Sequence, residues 1–511
     1  MKKNSSLAFC LLVCMTLSAQ TKSTDSIRTL IVFFDGLRPD YITADEMPNL
    51  YAFRKKASYG KAHHSVFPTV TRVNATSYAT GSYPGTHGLM GNSVYFPQVS
   101  TTKSLNTGDA SELNAINKAL NGHLITAISL GEVLKQHGKD MMVFSSGTTG
   151  QALMQNHTVS GAIINPAMIL PESIKEKVIA EVGTIPPAGK PNTARHTWIT
   201  NALMKYGLHL DGPLVSAIWF SDPDGTAHAD GIGSPTAIAS IKSVDEQFGR
   251  ILTDLEQKGL ADNFNIVIST DHGFVTHVGK DGLVEFLIRK GLKKEKDSDD
   301  VVIAGGAIYI KDHNKDLLQQ IVTALQAEEW IGAIFTKGIK KGDTKGHIAG
   351  TLSFESIHWN HEERMADILV DVNWNDEKNT AGYAGTSYSR GVAGHGSLSP
   401  YEVHIALLAA GPSFKPSFES ELPTSNVDLV PTILHLHQLP IPATVNGRVM
   451  YELLINSKTT AKPIVKNDII ETSVNFKGGI YKLLLNRTIL GEYQYINFAK
   501  VIRERNSNTG Q

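Results

Sequence analysis

The chain is predicted to be an α/β protein, a sandwich with a central, mostly parallel sheet flanked by helices and an inserted α+β subdomain. Short, almost continuously apolar runs alternate with longer amphipathic segments, which is the pattern of strands buried on both faces by helices. The texture changes between residues 275 and 390, and three of the apolar runs finish in aspartate.

The strand-length apolar runs are residues 30–34, 141–144, 214–220, 264–269 and 404–410. Helical patterns fall between them at 130–136, 194–206, 237–258 and 426–436. In the altered stretch, a Lys/Asp-rich segment at 293–300 precedes a glycine-containing strand candidate at 301–310 and another at 367–372, which reads as an insertion forming one wall of a cleft. Residues 462–466 read as a linker, and 472–496 alternate like a small hairpin or meander. The expected organisation is a signal peptide (1–19), a first core part (20–274), the insertion (275–390), a second core part (391–457) and a C-terminal linker with a small β extension (458–511). At 511 residues the chain exceeds the length at which one core stops growing, in line with that division.

Charge and the N-terminus narrow the function classes. Lys and Arg total 48 against 49 acidic residues, so no basic footprint for a nucleic-acid polymer or an anionic membrane is present. Lys2 and Lys3 precede an apolar run at 7–17 and the small-residue site Ser18-Ala19-Gln20, which reads as a secretory signal cleaved after Ala19. The product is then exported, periplasmic or secreted. A lipoprotein acylated at Cys14 is the weaker reading, because Val13 is bulky for such a site. The only cysteines, Cys10 and Cys14, lie in this segment, so the mature chain has no thiol. No later run reaches the roughly 18 apolar residues of a transmembrane segment.

The three aspartate endings carry the chemistry. Val32-Phe33-Phe34 runs into Asp35-Gly36, Ile218-Trp219-Phe220 is followed by Asp222-Pro223-Asp224, and Ile268-Ser269-Thr270 runs into Asp271-His272-Gly273. Ligands of open α/β sheets bind at the carboxyl ends of strands, so these acids are expected on one rim. Any one of them alone reads better as a turn or helix cap. His228 four residues after Asp224, His272 beside Asp271, and His395 in Ala393-Gly394-His395-Gly396 shift the balance towards metal. Carboxylate and imidazole donors without thiolate suit two divalent metal ions, zinc or a similar borderline ion. Thr71, in Phe67-Pro68-Thr69-Val70-Thr71-Arg72-Val73-Asn74, is placed at the start of a short helix, where an alkoxide or phosphoryl oxygen is favoured. The residues alone leave open whether Thr69 and Thr71 merely cap that helix.

Six ordered motifs resemble the nucleotide pyrophosphatase/phosphodiesterase family of the alkaline phosphatase superfamily. They are Asp35-Gly36-Leu37-Arg38-Pro39-Asp40, the 67–74 segment, Thr80-Gly81-Ser82-Tyr83-Pro84-Gly85-Thr86-His87-Gly88, Pro223-Asp224 through His228, Asp271-His272-Gly273 and Gly394-His395-Gly396, spread over roughly residues 28–450. The resemblance implies an alkaline-phosphatase-like fold with two zinc ions, one held by Asp224, His228 and His395 and the other by Asp35, Asp271, His272 and the Thr71 oxygen. It also implies that Thr71 is the nucleophile and that Asn92, 21 residues later, donates to a phosphoryl oxygen. Three carboxylates and a threonine alkoxide carry four negative charges, which balance two divalent ions. The implied activity is hydrolysis of phosphodiester or pyrophosphate bonds in a small phosphorylated substrate through a phosphothreonine.

The chain departs from the family pattern at Asp222, where Glu is usual, at Ala227, where Gly is usual, and in Phe144-Ser145-Ser146-Gly147-Thr148-Thr149-Gly150 near the expected substrate pocket. A phosphomonoesterase, which shares the same metals, Thr and Asn in this superfamily, is the closest alternative, but the last segment has no Lys/Arg pair to bind the extra phosphate charge. A phosphonate hydrolase could use the same core residues, and an inactive binding module could keep the metals for stability alone. His63 and His64 read as surface or supporting groups, His87 as structural, and His277, His358 and His361 as solvated loop residues. Arg72 is left outside the catalytic set, since it could pair with a surface carboxylate.

Overall fold

The computed structural model describes residues 27–457 and 464–505. The signal-peptide reading, with Cys10 and Cys14, lies outside the described residues.

A nine-stranded sheet forms the centre. Its strands are β1 (Arg28–Phe34), β2 (Ser58–His64), β3 (Met141–Ser145), β4 (Gly161–Asn165), β5 (Met168–Leu170), β6 (Val215–Phe220), β7 (Phe264–Ser269), β8 (His404–Ala410) and β9 (Phe418–Ser425). They lie side by side in the order β9-β2-β8-β7-β1-β6-β3-β4-β5. From β7 through β1, β6 and β3 to β4 every pairing is parallel. β1 shows why the runs are continuously apolar: Ile31 and Phe33 enter one core while Leu30, Val32 and Phe34 enter the other, so both faces are covered. The helical readings fall on Leu130–Gln136, Thr193–Tyr206, Pro235–Gln257 and Leu429–Leu436, the last preceded by a 3-10 turn at Asn426–Asp428.

Three details differ from expectation. β8 is antiparallel to both β7 and β2. It starts at the rim where β7 ends, because the preceding turn is tied there by Gly273 N–H to Glu402 O and Phe274 N–H to Tyr401 O, so it can only run back. An apolar run carries no sign of direction. The 301–310 candidate is a hairpin, with Val301–Ala304 paired to Ala307–Ile310 and Gly305 at φ 63° in the turn. The last element is a meander of three long strands, Val465–Phe476, Gly479–Leu490 and Tyr493–Arg505, which begins inside the expected linker. It is packed on its surroundings: Tyr481 Oη donates to Gly332 O at 2.9 Å, Trp374 Nε1 to Ala499 O at 2.8 Å, and His64 Nε2 lies 2.9 Å from Asn497 Oδ1.

Residues 275–390 carry a five-stranded sheet built from the hairpin, Ile331–Thr336, Leu352–Ser353 and Ile368–Val372. Among the described residues no helix is long and apolar enough to cross a membrane.

Candidate metal centre

β7, β1 and β6 are adjacent, parallel and in register, with Phe33 opposite both Trp219 and Ser269. Strands lie about 4.8 Å apart, so the acids that follow them must meet at one rim. The meeting is tied by backbone: Gly36 N–H donates to Asp271 Oδ1 at 3.0 Å, and Asp224 N–H to Asp35 O at 3.0 Å. Gly36 has φ 71°, and a Cβ there would come within 3.1 Å of Asp224 Cβ and the Phe274 ring, so the approach requires glycine.

The three imidazoles are oriented in one way. Nδ1 of His228 faces Ala393 O at 2.9 Å, that of His272 faces Gly273 O at 3.0 Å, and that of His395 faces Thr69 O at 2.8 Å. A carbonyl oxygen can only accept, so each Nδ1 carries a proton, and in its neutral form each ring turns an Nε2 lone pair inward. His228 Nε2 and His395 Nε2 lie 3.2 and 3.3 Å from Asp224 Oδ1. His272 Nε2 lies 2.9 Å from Asp271 Oδ2 and 3.6 Å from Asp35 Oδ1. The His272 and His395 rings stack with centroids 3.4 Å apart.

These same carboxylate oxygens, Asp35 Oδ1, Asp224 Oδ1 and Asp271 Oδ2, are buried and accept no hydrogen bond. The partner oxygens of two of them are tethered: Trp219 Nε1–H donates to Asp35 Oδ2 at 2.9 Å, and Gly36 N–H holds Asp271 Oδ1. With the rings neutral, acceptors face acceptors at hydrogen-bond distance with no donor between them, an arrangement that a cation relieves. Burial, together with the nearby Asp271 and Asp224 charges, pushes the Asp35 carboxyl well above its ordinary range. Burial, with repulsion from His272, lowers His395 to about 4, so the ring is a neutral donor at physiological pH. The donor set fits divalent ions of the zinc type. Two groups of donor atoms lie close enough to share an ion, Asp224 with His228 and His395, and Asp35 with Asp224 and His272. Asp224 thus stands between the two clusters, and Asp271 approaches the second through His272.

Thr71 opens the helix Thr71–Thr80, with its Oγ1 3.2 Å from His272 Nε2. Neither threonine caps this helix: Val70 is the cap residue and has no side-chain bond, while Thr69 Oγ1 donates to Ser397 O and accepts from Gly396 N–H. The segment before the helix is pinned by buried Asn74, which accepts from Val66 N–H at 2.8 Å and donates to Val66 O at 3.0 Å. Asn92 Oδ1 accepts from Arg72 N–H at 3.0 Å, which leaves its NH2 as the donor end. Sequence reading had no means of finding Trp219 or Asn74, because an aromatic in an apolar strand reads as core and an asparagine on a helix reads as surface.

Two cavities flank this cluster. The larger, about 620 Å³, is lined by Asn92 and His395 together with Phe67, Met90, Trp330 and Tyr388, and the 275–390 stretch supplies much of its wall. The smaller, about 380 Å³, is lined by Asp35, Thr71, Arg72, the 146–149 segment, Lys190 and Arg195. His63 and His64 are buried, not surface residues; His63 bonds Thr424, Ser269 and Asn426. His87 is structural, held by Ser77 Oγ and Leu89 N–H. His358 stacks on Tyr83 at 4.1 Å and His361 meets Thr126, so neither is a solvated loop residue. His277 packs on Gly394, where a Cβ would come within 2.4 Å of its Cε1.

Residues 29–383 match the family model described as type I phosphodiesterase / nucleotide pyrophosphatase. Bis(5'-adenosyl)-triphosphatase enpp4 of Xenopus laevis is 25% identical over 276 residues, 52% of this chain and 50% of that protein. Ectonucleotide pyrophosphatase/phosphodiesterase family member 5 of Homo sapiens is 24% identical over 441 residues, 83% of this chain and 79% of that protein. The chain thus spans about half the length of the first of these relatives. Among solved structures, murine ectonucleotide pyrophosphatase/phosphodiesterase 5 in an inactive form complexed with AMP superposes with TM-score 0.58 at 19% identity, over 84% of this chain and 100% of that one. A mutant of alkaline phosphatase PafA gives TM-score 0.63 at 16% identity, over 84% and 99%. These two likenesses establish an alkaline-phosphatase-like fold, and the match over residues 29–383 places the chain in the type I phosphodiesterase / nucleotide pyrophosphatase family.

Proposed function

We propose that this chain is an exported hydrolase that cleaves phosphodiester or pyrophosphate bonds of a small phosphorylated substrate through a phosphothreonine on Thr71. The observation that carries the reading is the set of three buried, donor-free carboxylate oxygens facing three imidazole lone pairs beside one threonine hydroxyl. Asp224, His228 and His395 would hold one divalent ion, and Asp35, Asp271, His272 and Thr71 Oγ1 the other, with zinc the best match to these donors. Two such ions supply the positive charge that makes a threonine alkoxide accessible near neutral pH and that balances charge on phosphoryl oxygens.

The protein's own groups do the rest. Thr71 Oγ1, once deprotonated, attacks phosphorus, and the bond from phosphorus to the leaving oxygen breaks. Water then attacks the phosphothreonine and frees Thr71 for another cycle. The first turn of the Thr71–Thr80 helix favours the anion at Oγ1 and on the phosphoryl group. The Asn92 NH2 donates to a non-bridging oxygen, a contact worth about 3 kcal/mol in comparable sites. The larger cavity, with its aromatic wall, takes the organic part of the substrate. The AMP complex of the murine structural neighbour supports a nucleotide-like substrate.

The test is turnover of bis-nitrophenyl phosphate, nitrophenyl phosphate and a nitrophenyl phosphonate ester by the purified chain, with and without chelator, beside Thr71→Ala. Loss on the order of 10³-fold or more in the variant, with metal content retained, is expected. Silence of the wild type on all three esters, or an active Thr71→Ala, would point to a metal-bound binding module or a different nucleophile.

A further inference from the structure

The absence of a Lys/Arg pair in 144–150 counts against substrates carrying extra phosphate charge, yet folding brings cations to that segment from elsewhere. Arg72, Lys190 and Arg195 line the same 380 Å³ cavity as Ser146, Gly147, Thr148 and Thr149, next to Thr71 and Asp35. Lys190 is exposed at the mouth, and Arg195 spends its Nε–H on Pro186 O.

Arg72 stands out from the other two. It follows Thr71 on the same helix, and its backbone is fixed by Asn92. Its side chain lies over Gly108, where a Cβ would sit 3.3 Å from Nη2 and 3.5 Å from Cζ; Gly108 is in turn held by Gly150 N–H to its carbonyl. Its Nε is buried with no hydrogen-bond partner, and the guanidinium makes no ion pair among the described residues. Asp35, Asp224 and Asp271 are near enough to couple with its charge but are directed at the imidazoles. With those three carboxylates and a Thr71 alkoxide balanced by two divalent ions, and with Asp222, the other carboxylate of this cavity, accepting from Asn192 N–H and facing His196, Arg72 has no carboxylate of its own in the cavity wall.

We propose that Arg72 is a substrate-binding residue whose guanidinium takes a phosphate oxyanion beyond the single one that a diester carries. The shared chemistry is a second ionised oxygen, whether on the reacting phosphate of a monoester or on the neighbouring phosphate of a pyrophosphate. An arginine fork matches two such oxygens at once, which a lysine cannot do. This rests on the phosphoryl-transfer reading above, and it makes charged esters or nucleoside polyphosphates better substrates than simple diesters.

The metal-loaded wild type, Arg72→Ala and Arg72→Lys are compared on inorganic phosphate by titration calorimetry, and on bis-nitrophenyl phosphate, nitrophenyl phosphate and ADP by turnover. One charge-assisted contact corresponds to a loss of about 10- to 100-fold. Arg72→Ala is expected to weaken phosphate binding by that factor and to lower kcat/KM on the multiply charged substrates by that factor more than on the diester, with Arg72→Lys in between. A loss confined to nitrophenyl phosphate assigns the contact to the reacting phosphate, and one confined to ADP to its neighbour. Unchanged phosphate affinity in a folded, metal-replete Arg72→Ala, or an equal loss on all three substrates, overturns the proposal. If the wild type hydrolyses nothing, the hydrolase reading fails, and the calorimetry still decides whether Arg72 binds phosphate.

Discussion

Trp219→Phe isolates the tether on one carboxylate of the centre. The indole N–H donates to Asp35 Oδ2 at 2.9 Å, and the ring stacks on Phe33 with centroids 4.5 Å apart and planes 4° apart. Phenylalanine keeps an aromatic ring in that stack and deletes the donor. In the metal-loaded protein Asp35 is ionised, and a hydrogen bond to an ionised group contributes about 1.5–3 kcal/mol. In the metal-free protein burial and the neighbouring carboxylates push Asp35 towards its neutral form, so the same bond contributes less. The smaller ring also leaves a void, whose cost falls equally on both forms and cancels in their difference. The expected result is a loss of metal affinity of about 10- to 100-fold, the range typical of groups that orient a metal-binding carboxylate. Competition against a chromophoric chelator measures it, and melting of the metal-free and loaded forms supplies the cancellation. The reasoning is refuted if metal affinity stays within about twofold of wild type while both forms lose the same stability, because Trp219 is then only a packing residue.

Chelation should lower the melting temperature and abolish turnover together, with both restored by zinc, because removing cations leaves Asp35, Asp224 and Asp271 facing one another; calorimetry that finds no change in melting would argue against a site there. Asn74→Ala strips the partners from buried Val66 N–H and C=O and should cost about 2–4 kcal/mol in urea unfolding, well above a typical helix-surface change. Burial raises Glu402 to about 8 and Asp371 to about 7, above their unfolded values. Their stabilising contribution is therefore complete below about pH 4 and is lost as pH rises through 7 to 8. Glu402→Gln should flatten the decline in unfolding free energy between pH 5 and 8 by up to about 1.4 kcal/mol per pH unit, and parallel profiles for variant and wild type would exclude that origin.

Much of the centre was legible along the chain because its parts are local. An apolar run with both faces buried ends where its apolar residues end, so Asp35, Asp224 and Asp271 announce strand termini, and parallel strands in register must bring such termini together. His228 and His272 follow their aspartates closely enough to be read with them. What the chain order could not carry was direction and partnership. The reversal of β8 follows from where the preceding turn is tied, and the tether from Trp219 to Asp35 joins residues 184 positions apart. Arg72 packs over Gly108, 36 positions along the chain, and shares its cavity with Lys190, more than a hundred residues away. Composition and motif thus determined which groups are candidates for holding metal and phosphate. Only tertiary packing decided which oxygens lack donors, which nitrogens face them and where an unpaired positive charge remains, because those depend on distances between segments that the sequence keeps apart.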